Sequence, residues 1–417
     1  VFKITKDNNH LYGTIELPYS KSISLRAQIL RFLHPGRIRV EQLSQSADAI
    51  LLDALLQKIS EHATHEPLTL HVANSGAVMR FLTAILASRA GEYLILGSPR
   101  MAQRPVGILV EALKELGADI QYLEKPNHLP ILIRGKNLVS KEIHIDASES
   151  SQYISALLLL GSTLEEGLTV IPKGAVVSGG YIEMTLKMLQ GSGFRVQGSG
   201  PVLRAKPEGS PSGSGLSKTT FAVERDWSSA AFWYSLLANA EEGKIFFPGL
   251  RFTGMQGDEA VAGIFEVLGV KTEEGPDGIS ITKITPPDTL AEWDFTAYPD
   301  LAPAVMAACA FLHREAVFTG LESLKIKESD RLRAMQEELA KIGCMLVSGR
   351  SGKWQLIPGK ACKKMILFNA HDDHRIAMAM TAAVFKEFGY TIDNESVVDK
   401  SYPCFWKDLE QLGFIVR

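Results

Sequence analysis

Five times along the chain, a helix-like stretch ends in an apolar-x-x-apolar pair, meets a glycine and gives way to a short β-like segment. The copies are Leu113-Lys-Glu-Leu-Gly117, Leu186 through Gly193, Phe265-Glu-Val-Leu-Gly269, Leu339-Ala-Lys-Ile-Gly343 and Leu409-Glu-Gln-Leu-Gly413. Their glycines stand 76, 76, 74 and 70 residues apart (117 to 193, 193 to 269, 269 to 343 and 343 to 413). Helices commonly stop at a left-handed residue, a conformation glycine adopts without a Cβ penalty, so the pattern marks repeated helix ends. A sixth copy without its glycine ends near Ile59, over Leu51 to Ile59. This period is longer than the roughly 20–50 residues of solenoid repeats and leaves room for two helices and several strands. Six mixed α/β units of ~70 residues fit the chain, and two groups of three give two domains.

Composition narrows the class further. Apolar residues make up 46% and charged residues 22%, the balance of a globular protein rather than a disordered or fibrous one. Lys and Arg total 44 against 47 Asp and Glu, a net charge of −3 that supplies no drive toward nucleic acid or anionic membrane. The four cysteines lie far apart, which points to a reducing compartment. The longest apolar run, Leu301 to Leu312, contains a proline and falls short of the ~20 residues of a membrane span. Val1 to Leu17 shows no signal or transit pattern. The expectation is a cytoplasmic chain with no metal and no cofactor, since neither metal-ligand histidine spacing nor a glycine-rich nucleotide loop occurs. Between Gly191 and Lys218, Gly-Ser-Pro runs predict exposed loops around one short strand.

Small polar and charged residues crowd the predicted helix starts: Lys21-Ser22 with Arg26, Asn74-Ser75-Gly76, Ser150-Ser151-Gln152, Asp226-Trp-Ser228, Lys327-Glu328-Ser-Asp330-Arg331 and Asp373-His374-Arg375. Ser, Asp and Asn are ordinary N-caps. Lys21, Arg26, Arg331 and Arg375 are different, because the helix dipole disfavours a cation there unless an anion sits between it and the free N–H groups. Arg100 and Arg104 precede a helix that Pro105 is positioned to open. Lys325 and Lys327 read as same-face residues at a strand end, and Lys400 precedes a Tyr402-Pro403 turn. Asp48, Asp300 and Glu328 stand among these cations, which favour their ionised forms and suit them to proton transfer. His374 either hydrogen-bonds a phosphate or orients its neighbours. The implied ligand is small and carries several negative charges.

The segments Leu-Pro-x-Ser-Lys21-Ser22-x-Ser-x-Arg26, Asn74-Ser75-Gly76 through Arg80, Pro-Arg100-Met-x-x-Arg104-Pro, Ser150-Ser151-Gln152, Ser178-x-x-Tyr181, Met255-Gln-Gly-Asp258, Pro299-Asp300, Lys327-Glu328-Ser-Asp330-Arg331, Asp373-His374-Arg375 and Lys400-Ser-Tyr-Pro403 occur in one order along the chain. In that order they resemble the 5-enolpyruvylshikimate-3-phosphate (EPSP) synthase family. The resemblance implies a two-domain inside-out α/β barrel of the enolpyruvyl transferase type, with three βαβαββ-type repeats per domain. It places one domain at 20–225 and a discontinuous one at 1–19 plus 226–417, hinged near 18–21 and 225–228 and closing on substrate. The implied reaction moves the enolpyruvyl group of phosphoenolpyruvate to the 5-hydroxyl of shikimate 3-phosphate through a tetrahedral intermediate, in a monomer.

By motif match, shikimate 3-phosphate meets Ser22, Arg26, Ser150, Ser151, Gln152, Ser178, Tyr181, Asp300 and Lys327. Phosphoenolpyruvate meets Lys21, Gly76, Arg104, Gln152, Arg331, Arg375 and Lys400, with Asn74 and His374 in support. Lys21, Asp300 and Glu328 are the catalytic candidates, Asp300 for the hydroxyl proton and the other two for the methylene carbon. Departures from the family pattern are Ala77, Phe81, Gly179-Gly180 and Ser323. UDP-N-acetylglucosamine enolpyruvyl transferase is the nearest alternative, but it carries Lys-Asn and an early reactive cysteine, whereas Lys21 precedes Ser22 here and no cysteine occurs before Cys309. A non-catalytic metabolite-binding paralogue would be expected to lose Lys21, Asp300 or Glu328, and all three are present.

Overall fold

The computed structural model describes residues 1–62, 66–198, 202–207, 218–287, 289–359, 365–386 and 388–417. One repeat shows how the others are built. Strand Leu68–His71 leads through helix Gly76–Ala87 to strand Gly91–Leu96, then helix Gly107–Glu115, then strands Asp119–Tyr122 and Ile131–Gly135. The first two strands pair in parallel, Leu68 opposite Tyr93, as a helical crossover allows. The last two close the sheet antiparallel, so the spatial order is first, second, fourth, third.

The same four-strand arrangement recurs in the sheets that begin at Glu142–Asp146, His10–Thr14, Glu292–Asp294 and Met365–Phe368. A parallel pair, Ile38–Glu41 with Thr219–Ala222, is what the described residues show of a sixth. The last repeat takes its fourth strand from the start of the chain: Phe2–Lys6 lies between Gly389–Ile392 and Phe414–Val416. All five repeat glycines have positive φ, from 76° at Gly193 to 99° at Gly117. Each follows a helix by two or three residues, as a left-handed stop requires.

The chain divides into two compact units, Val1–Ser20 with Gln45–Ala47 and Glu224–Arg417, and Lys21–Ser44 with Asp48–Val223. Within each, the helices form the interior and the sheets lie outside. Helix Ser151–Gly161 is buried at every residue except Gln152, Trp227–Asn239 at every residue except Ser228, and Ala302–Phe311 throughout. Helices apolar on all sides belong in a core. The sheets are one-sided, as in Glu142–Asp146, where Ile143 and Ile145 point inward and the flanking residues outward. Inner helices therefore expose little but their first turn, and that is where the polar residues lie.

Some expectations need correction. Lys325 lies in a 3₁₀ turn, Glu322–Ile326, and Lys327 just follows it; no strand end aligns them. The helix after Arg104 starts at Gly107, with Val106 at its N-cap, because the Pro105 carbonyl is taken by Arg80 Nη2 (3.0 Å) and the Tyr153 hydroxyl (2.8 Å). The segment after Gly191 contains two paired strands, Phe194–Gly198 and Leu203–Pro207, rather than one. Residues 199–201 and 208–217 of its expected loops, and Cys362, lie outside the described residues. No helix among the described residues is long and apolar enough to cross a membrane.

The glycine stops make a graded prediction. A Cβ at Gly117 meets nothing within 4 Å, whereas at Gly269 it falls 2.7 Å from the Ile284 carbonyl oxygen. Gly117→Ala should cost the left-handed penalty alone, ~1–2 kcal/mol, and Gly269→Ala distinctly more. Urea unfolding midpoints of the two variants measure the difference.

Candidate functional site

The polar helix starts carry several side-chain groupings in one unit and a single ion-pair cluster in the other. In the Lys21–Val223 part, Lys21 opens helix Lys21–Leu33 and its ammonium lies 3.4 Å from Asp48, in the first turn of helix Ala47–Glu61. Gly76 opens the next inner helix, and a Cβ there would come within 2.6 Å of both the Arg80 and the Arg104 guanidinium. Glycine is thus needed for the close approach of two buried arginines. Arg80 stacks over the Tyr153 ring at 5.0 Å and donates to the Gln152 side-chain oxygen at 2.7 Å. It fixes Gln152 and the Pro105 turn together, and so the chain beside Arg104.

Ser150 caps helix Ser151–Gly161, its side chain accepting from the Gln152 amide. Ser178 is left-handed at φ 56° and buried at the start of helix Gly179–Gly191. Arg26 departs from expectation. It is the sixth residue of its helix rather than part of the first turn, and its guanidinium is engaged by Thr185 Oγ1 (2.7 Å), Ser155 Oγ (3.1 Å) and the Ser22 and Tyr181 carbonyls. Burial lowers it to about 10. Ser22 and Tyr181 are thereby tied to it through their backbones, and the Tyr181 ring lies 5.8 Å from the guanidinium carbon.

The ion-pair cluster centres on Arg331, the first residue of helix Arg331–Ala340 and 1% exposed. Its Nε and Nη2 donate to Asp373 at 2.8 and 3.2 Å, Nη1 to Asp300 at 2.9 Å and Nη2 to Glu328 at 2.8 Å. Asp300 also accepts from Arg375 Nη2 at 3.0 Å and lies 3.3 Å from the Lys327 ammonium. Lys400 lies 4.0 Å from Glu328. His374 is buried beside Asp373, with Nδ1 3.6 Å from its carboxylate.

Burial alone would push the Asp300 carboxyl up, but Arg375, Lys327 and Arg331 outweigh it and hold it well below the usual carboxylate range. Asp300 is therefore ionised at neutral pH, a base surrounded by cations that an arriving anion can engage. Burial lowers Lys327, with Asp300 opposing. Asp258, hydrogen-bonded to Ser228, is pushed up to about 6 by burial and by Asp300, with Arg375 opposing.

Lys327, Glu328, Arg331, Arg375, Lys400 and Asp300 thus gather in one unit; in the other, Lys21, Gly76, Gln152, Ser150, Ser151 and Ser178 occupy helix starts, and Arg104 caps the end of the 3₁₀ turn Met101–Gln103. Asn74 supports Arg104 through its carbonyl, 3.5 Å from Nη1. Arg80, Asp258 and Asp373 lay inside the sequence motifs but drew no role. Arg80 is four residues beyond Gly76 on the same helix face, and Asp373 stands at the N-cap of His374–Met380; both spacings carried the signal.

Replacing Arg331 with Met leaves three carboxylates without their shared partner, which should cost ~3–5 kcal/mol at pH 7. A depressed carboxyl contributes stability above its unfolded pKa and loses it as pH falls through the folded value. The Asp300 part of the gap between wild type and Arg331→Met should therefore persist at pH 4, still above the folded value, and narrow only on further acidification, in urea unfolding at pH 7, 4 and 2.

The sequence profile described as EPSP synthase (3-phosphoshikimate 1-carboxyvinyltransferase) matches residues 5–409. The chain is 36% identical over 414 residues to the 3-phosphoshikimate 1-carboxyvinyltransferase of Bacteroides fragilis, covering 98% of this chain and 97% of that one. It is 31% identical over 427 residues to the protein of the same name from a Sulfurovum species, covering 98% of each. Among solved structures, the EPSP synthase of Acinetobacter baumannii matches with a TM-score of 0.75 at 23% identity, over 100% of this chain and 99% of that one. The enolpyruvyl transferase NikO of Streptomyces tendae matches with a TM-score of 0.72 at 14% identity, over 100% and 98%. These structural likenesses establish the enolpyruvyl transferase fold. With the profile spanning nearly the whole sequence and full-length relatives above 30% identity, the chain belongs to the EPSP synthase family.

Proposed function

We propose that this chain transfers the enolpyruvyl group of phosphoenolpyruvate to the 5-hydroxyl of shikimate 3-phosphate, releasing phosphate, in aromatic amino acid biosynthesis. The observation that carries the reading is Asp300: a buried carboxylate held ionised by Arg331, Arg375 and Lys327. An anionic substrate that engages Arg375 and Lys327 loosens their hold on Asp300 and leaves it a stronger base where a hydroxyl must lose its proton.

In this mechanism the 5-hydroxyl oxygen adds to C2 of phosphoenolpyruvate while C3 gains a proton, giving a tetrahedral intermediate. Loss of a C3 proton and of phosphate then restores the double bond. Asp300 takes the hydroxyl proton, and Lys21 and Glu328 exchange protons at C3. Arg104, Arg331, Arg375 and Lys400 hold the carboxylate and phosphate of phosphoenolpyruvate, with Gly76 leaving room and Gln152 between the ligands. Ser22, Arg26, Ser150, Ser151, Ser178, Tyr181 and Lys327 hold shikimate 3-phosphate, and Asn74 and His374 steady their neighbours. Arg26 has most of its donors engaged within the chain, so its part is to brace the Tyr181 end of that set. The same reading takes the protein as a cytoplasmic monomer that needs neither cofactor nor metal.

Asp300→Ala should lower turnover ~10²–10⁴-fold, the range of a lost general base, with the circular dichroism spectrum intact. Near wild-type turnover would remove Asp300 as the base. Gly76→Ala should raise the KM for phosphoenolpyruvate by forcing the Arg80 and Arg104 guanidinium groups aside, while leaving that for shikimate 3-phosphate close to wild type. Steady-state kinetics with each substrate varied separate the two effects.

A further inference from the structure

The turn that delivers Asp373 and Arg375 has an unusual backbone. His371 and Asp372 are consecutive and both left-handed, with φ of 50° and 51°. Histidine and aspartate tolerate that region better than most residues, but L-residues normally visit it singly. Glycine, which would adopt it freely, is absent from the Asn369-Ala-His-Asp-Asp-His-Arg375 run. Immediately after the turn, Asp373 returns to extended backbone and caps helix His374–Met380. Its carboxylate there accepts from Arg331, from Ser329 Oγ (3.1 Å) and from the Arg375 amide (3.0 Å).

One helix grips this loop at two points. Arg331 and Glu338 lie seven residues apart on helix Arg331–Ala340, two turns along one face. Arg331 holds Asp373, beyond the turn. Glu338, 1% exposed, holds the near side: its Oε2 accepts from the Asn369 amide at 2.9 Å, and its Oε1 lies 2.8 Å from His371 Nε2. The Asn369 side chain accepts in turn from the His371 amide at 2.6 Å. Lys341 completes the carboxylate's partners at 2.6 Å, and Asn394 donates to Asp372 at 3.3 Å. The groups facing His371 are Glu338, Glu337 and Lys341 from the helix and its C-cap. Nothing in the proposed chemistry uses Glu338. It is nonetheless a buried carboxylate, satisfied by donors from the loop that carries Arg375.

We propose that Glu338 is a positioning residue for the reaction. Through His371 and the Asn369 amide it holds the left-handed pair at 371–372 in place, and so sets where Asp373 and Arg375 stand. The proposal rests on the reading of Arg375 as a phosphoenolpyruvate ligand. A purely structural Glu338 would affect unfolding alone; a positioning Glu338 affects the loop and the affinity for phosphoenolpyruvate.

The test uses the full chain and compares wild type, Glu338→Ala, Glu338→Gln and the triple variant Glu338→Ala/His371→Gly/Asp372→Gly. Amide hydrogen exchange over residues 369–376 of the ligand-free protein reads the loop without reference to activity. Glu338→Ala should speed that exchange and raise the KM for phosphoenolpyruvate ~10-fold, equivalent to ~1.4 kcal/mol. The triple variant should bring that KM back to within ~3-fold of wild type, because glycine adopts the left-handed turn without the grip. Glu338→Gln, neutral and nearly isosteric, should fall between wild type and Glu338→Ala with Tm unchanged, and it stands in if the alanine variant does not fold. Unchanged exchange in Glu338→Ala, or in Glu338→Gln should that variant have to stand in, would overturn the proposal. So would a triple variant as impaired as the single one. If wild type itself consumes no phosphoenolpyruvate with shikimate 3-phosphate, the functional reading fails, and exchange alone decides whether Glu338 holds the turn.

Discussion

Arg331 binds three carboxylates that the sequence supplies from separate places: Asp300 before an apolar helix, Glu328 one turn earlier and Asp373 at the cap of another helix. A planar guanidinium with five donors can hold several acceptors in fixed directions, which a lysine cannot. Burying such a group is costly unless it is fully paired, and burying three carboxylates is costlier still. The cluster is stable only as a whole, and that requirement fixes the relative positions of three helix starts. Arg80 plays the corresponding part in the other unit, joining Gln152, the Pro105 turn and the Tyr153 ring beside Gly76. In each case a buried arginine organises the groups around it.

The placement of the clusters follows from the interior helices. A helix apolar on every side has no polar face to offer, so its chemistry is confined to its ends. Gln152 and Ser228 are the exceptions to burial in their helices, and both lie in the first turn. Unpaired N–H groups and the positive end of the dipole stand there as well. Apolar patterning thus sets the sites for anions as directly as the cations do.

Much of this could be read from residue order. The five glycines that marked helix ends have positive φ, because a local backbone requirement leaves a local signal. Arg331 and Arg375 are legible because a basic residue at a helix start contradicts the dipole. What could not be read depends on distant contacts. The pairing of Phe2–Lys6 with Phe414–Val416 completes the last repeat from the opposite end of the chain. Arg26 reads as a helix-start residue, yet it is the sixth residue of its helix, and Thr185 and Ser155, more than a hundred residues away, accept from its guanidinium. Lys325 looked like a strand residue because a short 3₁₀ turn has too few residues to show a period. The fold is also shared more widely than any one reaction: NikO matches the whole chain at 14% identity. Function therefore has to be argued from the site rather than the architecture.

The reaction assigned to this chain is enolpyruvyl transfer to shikimate 3-phosphate. Mass spectrometry of the products tests it most directly, with purified protein, phosphoenolpyruvate and either shikimate 3-phosphate or UDP-N-acetylglucosamine as acceptor. The expected result is an enolpyruvyl ether of shikimate 3-phosphate, formed together with an equal amount of phosphate, and none from the sugar nucleotide. Transfer to the sugar nucleotide alone, or unchanged phosphoenolpyruvate with both acceptors, would contradict the account.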